Sequence, residues 1–225
     1  MVLVAKASDI AKKIAIHPKG TIVGMIFGKI FEQLYNSKNQ VTNPTDPRSR
    51  YPDPFILRIF TYDLKNLLEL HNIYSVDLLR EGVKMYIALH REGVTGIGVP
   101  PTFRKYADEI YIAAQPDLYN PYLDEYFEIK TYPIDEYSKT QAKIFAWVLD
   151  HRVVLVGLRK DGNDYKVETM VIEPKPLNID PEIVRSVARE QPIDPGRCIP
   201  PHRLFRHNRP DEEDMIRARR VALEV

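Results

Sequence analysis

Asp117, Glu128, Lys130 and Gln141 are the side chains whose types and order could together act on a phosphodiester. Hydrolysing that bond with a metal ion needs carboxylates to hold the cation, a group to orient water, and a scaffold that fixes both within fractions of an ångström. A β-strand meets this demand readily, because side chains at i and i+2 share a face. Glu128 and Lys130 lie in the apolar, β-favouring run Tyr126–Tyr132, so they point one way while Phe127, Ile129 and Thr131 point the other. Asp117 follows a second such run, Ile110–Ala114, and can reach the same spot from a neighbouring strand end. The backbone carbonyl of Ile129 adds an oxygen, and an all-oxygen set suits Mg2+ or Mn2+. Gln141 stands near the start of a helical run, Ser138–Asp150, on one face with Phe145 and Leu149, and can position a water or a phosphate.

Spacing alone does not single these residues out. Pro-Asp also occurs at Pro52-Asp53 and Pro210-Asp211, and an acid two before a lysine recurs at Asp63/Lys65, Asp164/Lys166 and Glu173/Lys175. Asp63 and Lys65 lie in a helical pattern, where i and i+2 diverge by about 200°. Asp164 and Lys166 lie on a strand without an upstream acid at a strand end or a following helix. Only Asp117, Glu128 and Lys130 have both the strand setting and the downstream helix.

The elements that must hold them follow from periodicity. Ile110–Ala114, Tyr126–Tyr132, the helix and Arg152–Leu158 read strand, strand, helix, strand. Thr102–Ala107 is a further short strand, and Tyr165–Ile172 pairs with Arg152–Leu158 across an Asp161-Gly162 turn. Upstream, Val23, Ile26, Phe27, Ile30, Phe31 and Leu34 predict a helix over 21–36. Gly24, Gly28 and Glu32 form a second row on it, and two glycines in a helix point to a close packing partner or a ligand approach, with Glu32 at its rim. Residues 37–54 read as a loop, and Tyr62–His71 and Val76–Arg91 as helices of an insertion. Three glycines in Gly93–Pro101 make a turn; no lysine-serine or lysine-threonine follows, as a phosphate-binding loop would need. Asp180-Pro181 caps a helix running to about Glu190, and Asp211–Leu223 makes a charged terminal helix. The expected fold is α/β, a mixed central sheet flanked by helices. Its core spans 1–172, with a loop and helical insertion at 42–100, and 173–225 forms a helical, arginine-rich extension of the same domain.

At 225 residues and 44% hydrophobic content the chain can bury a sizeable core without disulfides. One cysteine, Cys198, excludes an internal disulfide framework, and no apolar run approaches the ~18 residues of a membrane span. A soluble, cytoplasmic protein without a membrane partner is the expectation. A net charge of +1 hides an uneven distribution: residues 1–38 carry six lysines against Asp9 and Glu32, 185–220 nine arginines against six acids, and 106–150 nine acids against three lysines. An acidic centre between basic ends suits a cation site inside a phosphate-binding frame. Cys198, His202 and His207 offer a loosely spaced set without a fourth ligand, which argues against zinc.

In order, Gly28-x-x-x-Glu32, Asp117 in QPDLY, Glu128-Ile129-Lys130-Thr131 and Gln141-x-x-x-Phe145 resemble the PD-(D/E)XK nuclease superfamily over residues 20–36 and 102–172. EIKT followed by QAKIFAWVL is most similar to its RecB-like exonuclease branch, and the Gly-x-x-x-Glu helix to archaeal Holliday junction resolvases. The resemblance implies a restriction-endonuclease-like core and a Mg2+- or Mn2+-dependent nuclease that cuts DNA to leave 5′-phosphate ends. It implies Asp117, Glu128, Ile129 and Glu32 as the metal shell, Lys130 orienting or activating water, and Gln141 supporting substrate positioning. Many relatives pair to address two strands, so a homodimer is compatible with it, although no residue here demands one. The chain departs from the pattern at Phe145, which replaces the usual tyrosine, at the residue before Glu32, which is not histidine, and in its single cysteine, which rules out an iron–sulfur cluster. The alternative is a catalytically inactive nucleic-acid-binding or assembly protein that keeps the fold. A small-molecule enzyme would need a cofactor motif, and none is present.

Overall fold

The structure is a computed structural model and describes residues 1–16, 24–28 and 54–204. Strand β1 (Val2–Lys6) runs directly into helix α1 (Ala7–Ile14). Helices α2 (Pro54–Leu70) and α3 (Val76–Arg91) follow, the second capped by the Ser75 side chain. Then come β2 (Ile97–Gly98), β3 (Thr102–Ala107), β4 (Ile110–Ala114), β5 (Leu118–Asn120) and β6 (Glu125–Lys130). Helix α4 (Glu136–Leu149) precedes the hairpin of β7 (Val153–Asp161) and β8 (Asp164–Ile172). Helix α5 (Pro181–Val187) and β9 (Arg189–Gln191) bring the chain back to β1.

The chain is α/β, but its strands form two mixed sheets rather than one central sheet. One has the order β3-β4-β1-β9, with β1 and β4 parallel, and the other the order β2-β5-β6-β7-β8, with β6 and β7 parallel. The chain crosses between them over residues 115–117. Helix α4 packs against β7 of the second sheet and against β3 and β4 of the first. Most of its surface is therefore buried, including Ala142, Ile144, Ala146 and Leu149, which are fully enclosed. Burying each large apolar side chain here contributes about 1.5–3 kcal/mol, and the two alanines let the helix approach closely.

A second core covers the other face of the five-stranded sheet, where Phe127, Val154 and Val156 meet α2, α3 and the helical residues 24–28. Phe60 holds it together, stacked on Tyr86 at 4.5 Å and edge-on to Phe27 at 5.5 Å. The β7–β8 turn is Gly162-Asn163, with Gly162 at φ +60°, the left-handed conformation that the Asp-Gly signal called for. At Gly96 a methyl group would lie 2.4 Å from the Tyr119 carbonyl oxygen, so β2 can lie against β5 only with glycine there.

Several boundaries differ from the sequence reading. Helix α2 begins at Pro54, well before Tyr62. Helix α5 ends at Val187 because Arg189–Gln191 pairs with β1. Gly28 is exposed, and among the described residues a methyl group there would meet nothing within 4 Å. Glu32, the rest of the 21–36 helix outside residues 24–28, the loop at 37–53, His207 and the terminal helix at 211–223 lie outside the described residues.

Beyond β9 the chain returns across the sheet end, and the His202 imidazole meets the buried Tyr126 hydroxyl at 2.8 Å. Burial, then His151 and Arg203, push the His202 pKa down to about 4, against the pull of Asp124 and Asp150. The unfolded imidazole takes up its proton near its ordinary 6.5, the folded one only near 4. Stability from this contact is therefore full above 6.5 and declines as pH falls to about 4. Amide protection factors, corrected for intrinsic exchange, are expected to fall over that window at Ile199 and at residues 202–204 in the native chain and to stay level in His202→Gln. An unchanged pH profile in the variant would remove His202 as the cause.

Candidate active site

The proposed residues meet at the carboxyl end of β6. In the antiparallel β5–β6 register Leu118 faces Phe127, so the next step places Asp117 across from Glu128 and Pro116 across from Ile129. Pro116 has no N–H to extend the ladder. The Asp117 side chain takes the place of a ladder carbonyl, its Oδ2 accepting a 2.6 Å hydrogen bond from the Ile129 amide. The Asp117 carboxylate also lies near Lys130, whose pKa it raises together with Glu128. Asp117 thus belongs to the link into β5; the neighbour of β6 is β5 and not β4.

Glu128 and Lys130 do share a face. The Lys130 Nζ lies 2.6 Å from Glu128 Oε1 and 2.8 Å from Gln141 Oε1. Phe127 and Ile129 turn the other way, into the core under α2 and α3. The Glu128 and Lys130 side chains are only 5% and 13% exposed, so this is a buried ion pair. The Tyr137 ring lies 5.7 Å from the ammonium, within cation–π range. Burial by itself would push the Lys130 pKa down, but the carboxylates of Glu128 and Asp117 outweigh it and hold the group above its ordinary range. In this arrangement Lys130 is an ammonium that donates hydrogen bonds and does not abstract protons. Burial also raises the nearby Tyr132 phenol to about 12.

Helix α4 delivers Gln141. It starts at Glu136, two residues before the sequence reading placed it, because Asp135 caps it: the carboxylate accepts from the Ser138 amide while the Ser138 hydroxyl accepts from the Asp135 amide. Gln141 therefore sits in the second turn and Phe145 in the core. Gly157 is a positioning residue that the sequence reading did not single out. It pairs with Lys130, and a methyl group on it would lie 2.8 Å from Ile134 Cγ1 and 2.9 Å from the Ile134 amide nitrogen. The absent side chain lets residues 132–134 fold back over β7, with the Leu158 amide bonded to the Tyr132 carbonyl, and so start α4 close to β6. Tyr137 and the Asp135–Ser138 cap were also missed, although Asp-x-x-Ser before an apolar run is a legible signal.

Asp117, Glu128 and the Ile129 carbonyl fit a divalent cation in kind: two carboxylates and a carbonyl at one end of β6, all hard oxygen donors. Among the described residues no three His, Cys, Asp or Glu side chains gather closely enough to hold a metal by themselves. The third carboxylate of the sequence reading, Glu32, is outside the described residues. At the decoy position, Lys166 pairs with Asp161 at 2.6 Å and not with Asp164. His202 is engaged by Tyr126, and burial pushes the Cys198 thiol up, so neither is poised as a zinc ligand. Among the described residues no helix is long and apolar enough to cross a membrane. No protein-family profile, curated protein or solved structure matches this chain.

Removing one partner of a buried pair strands the other charge, typically at about 3–5 kcal/mol. Glu128→Ala is expected to lose about 3 kcal/mol in urea unfolding, and Glu128→Ala with Lys130→Met to recover most of it. Equal stability of the single variant and the native chain would show that the pair carries no such weight.

Proposed function

We propose that this chain is a Mg2+- or Mn2+-dependent nuclease of the PD-(D/E)XK kind, hydrolysing DNA phosphodiester bonds on a restriction-endonuclease-like core. One observation carries the reading: Glu128, Lys130 and Gln141 converge at the carboxyl end of β6, and the Asp117 carboxylate lies beside them, bonded to the Ile129 amide. Asp117, Glu128 and the Ile129 carbonyl would hold the cation, with Glu32 as a further carboxylate. A bound cation would supply charge to the phosphate and acidify water. Lys130, fixed by Gln141, would orient the attacking water or a phosphate oxygen. The exposed lysines Lys13 on α1 and Lys143 on α4 stand on helices that pack together beside this site, where they suit a phosphate backbone.

A second reading keeps the DNA and drops the chemistry. The Lys130 ammonium occupies one oxygen of Glu128, and a permanent ion pair there would serve a non-catalytic binding protein equally well. Incubation with linear duplex, single-stranded and four-way-junction DNA, with Mg2+ and then with EDTA, separates the two. Cleavage is expected with Mg2+ alone, to vanish in Glu128→Gln and in Asp117→Asn, and to fall about tenfold or more in Gln141→Ala, whose residue acts through Lys130. Salt-sensitive binding with no cleavage under Mg2+ or Mn2+ would establish the second reading instead.

A further inference from the structure

The parallel strands β1 and β4 end together, and beyond Lys6 and Ala113–Ala114 a cavity of about 430 Å³ opens. The carboxyl ends of parallel strands are where open α/β sheets take ligands, and the volume lies within the roughly 300–1,000 Å³ of small-ligand sites. Lys6, Ser8, Phe103, Gln115, Gln141 and Phe145 are among its lining residues.

This cavity shares a wall with the candidate active site at two points. Gln115 lines it, two residues before Asp117. Gln141 lines it as well, at only 7% exposure, while its Oε1 accepts from Lys130. An ammonium can only donate, so the oxygen of that amide must face Lys130 and the NH2 must face away. Among the described residues this NH2 donates to nothing, and the space beside Gln141 is the cavity. A donor pair held in orientation by Lys130 and turned to an open cavity is placed to give hydrogen bonds to a ligand there.

The lining defines that ligand. The half-buried Phe103 offers aromatic surface for a flat ring beside the core residue Phe145, Gln115 and Gln141 offer amides for a ring edge, and the exposed Lys6 offers a cation for a phosphate. We propose that the cavity is a subsite for one unpaired nucleotide of the strand presented to Asp117 and Glu128, with its base against Phe103 and Phe145 and its phosphate toward Lys6. The proposal rests on the nuclease reading for the source of the nucleotide, since a free nucleotide would offer the same chemistry. On that reading, the enzyme acts next to a base that is already out of the duplex.

The test uses the full chain in EDTA, so binding is read without cleavage. The probes are short single strands carrying 2-aminopurine at successive positions, with free dAMP as a competing arm. Emission is expected to change at one position, and the change to be lost in Ala113→Leu, which fills the cavity. In Phe103→Ala single-strand binding is expected to weaken about fivefold or more, while affinity for fully paired duplex and the melting temperature stay native in both variants. Displacement by dAMP at comparable concentration would assign the subsite to free nucleotides; displacement by strands alone assigns it to the substrate. Strands that bind without an emission change at any position, or a change that Ala113→Leu retains, overturn the subsite even if Mg2+ then supports cleavage. A variant-sensitive change with no cleavage under Mg2+ sustains the subsite and removes the nuclease reading. Strands that fail to bind at all overturn both.

Discussion

Helix α4 has to satisfy two sheets at once, and much of the molecule follows from that. A helix enclosed on most sides has no freedom to slide, since any shift would open voids against both neighbours. Its start is fixed by the Asp135–Ser138 cap and by the fold-back over Gly157, and its middle by Ala142 and Ala146 between the sheets. Gln141 is therefore presented to Lys130 by the packing of the whole domain. The amide would be of little use on a helix that could rotate by even one residue.

The two carboxylates at the end of β6 are held in different ways. Asp117 is fixed by a backbone amide, which any folded chain would supply. Glu128 is fixed by a side-chain ammonium that itself depends on Gln141. A buried lysine is tolerated only because carboxylates and an amide surround it, and the same arrangement aims Glu128. Glu128 and Lys130 balance each other two residues apart, which is how a pair so polar can sit at the junction of two apolar cores.

The sequence was most legible where the determinants are local. Val76–Arg91 and Ile110–Ala114 match their elements end to end, because helical and alternating periodicities run unbroken there. The shared face of Glu128 and Lys130 needed only the two-residue repeat of a strand. Strand β1 was missed, since Val2–Lys6 is short and runs without a turn into a lysine-rich helix, which hides the change of period. Strand β9 was missed because its residues, Arg189, Glu190 and Gln191, carry no apolar signal and pair only by virtue of where α5 leaves them. The division into two sheets depends on the pairing of β1 with β4, more than a hundred residues apart, and no local pattern encodes a partner at that distance. Gly157 shows the same limit at short range: its importance lies in what folds over it.

The contacts that build the carboxylate centre span little sequence. Glu128 meets Lys130 two residues on, Lys130 meets Gln141 eleven on, and Asp117 meets Ile129 twelve on. The neighbouring cavity draws on Lys6, Ala113 and Gln191, brought together only when the first strand docks between the middle and the end of the chain. Loop closure makes such distant pairings slow and short ones fast. Residues 117–141 thus hold the centre's polar contacts within one short stretch, although the helix that carries Gln141 is seated by both sheets. The cavity beside it shares Gln115 and Gln141 with that stretch, so only its far wall, built from Lys6, Ala113 and Gln191, can change without touching the centre.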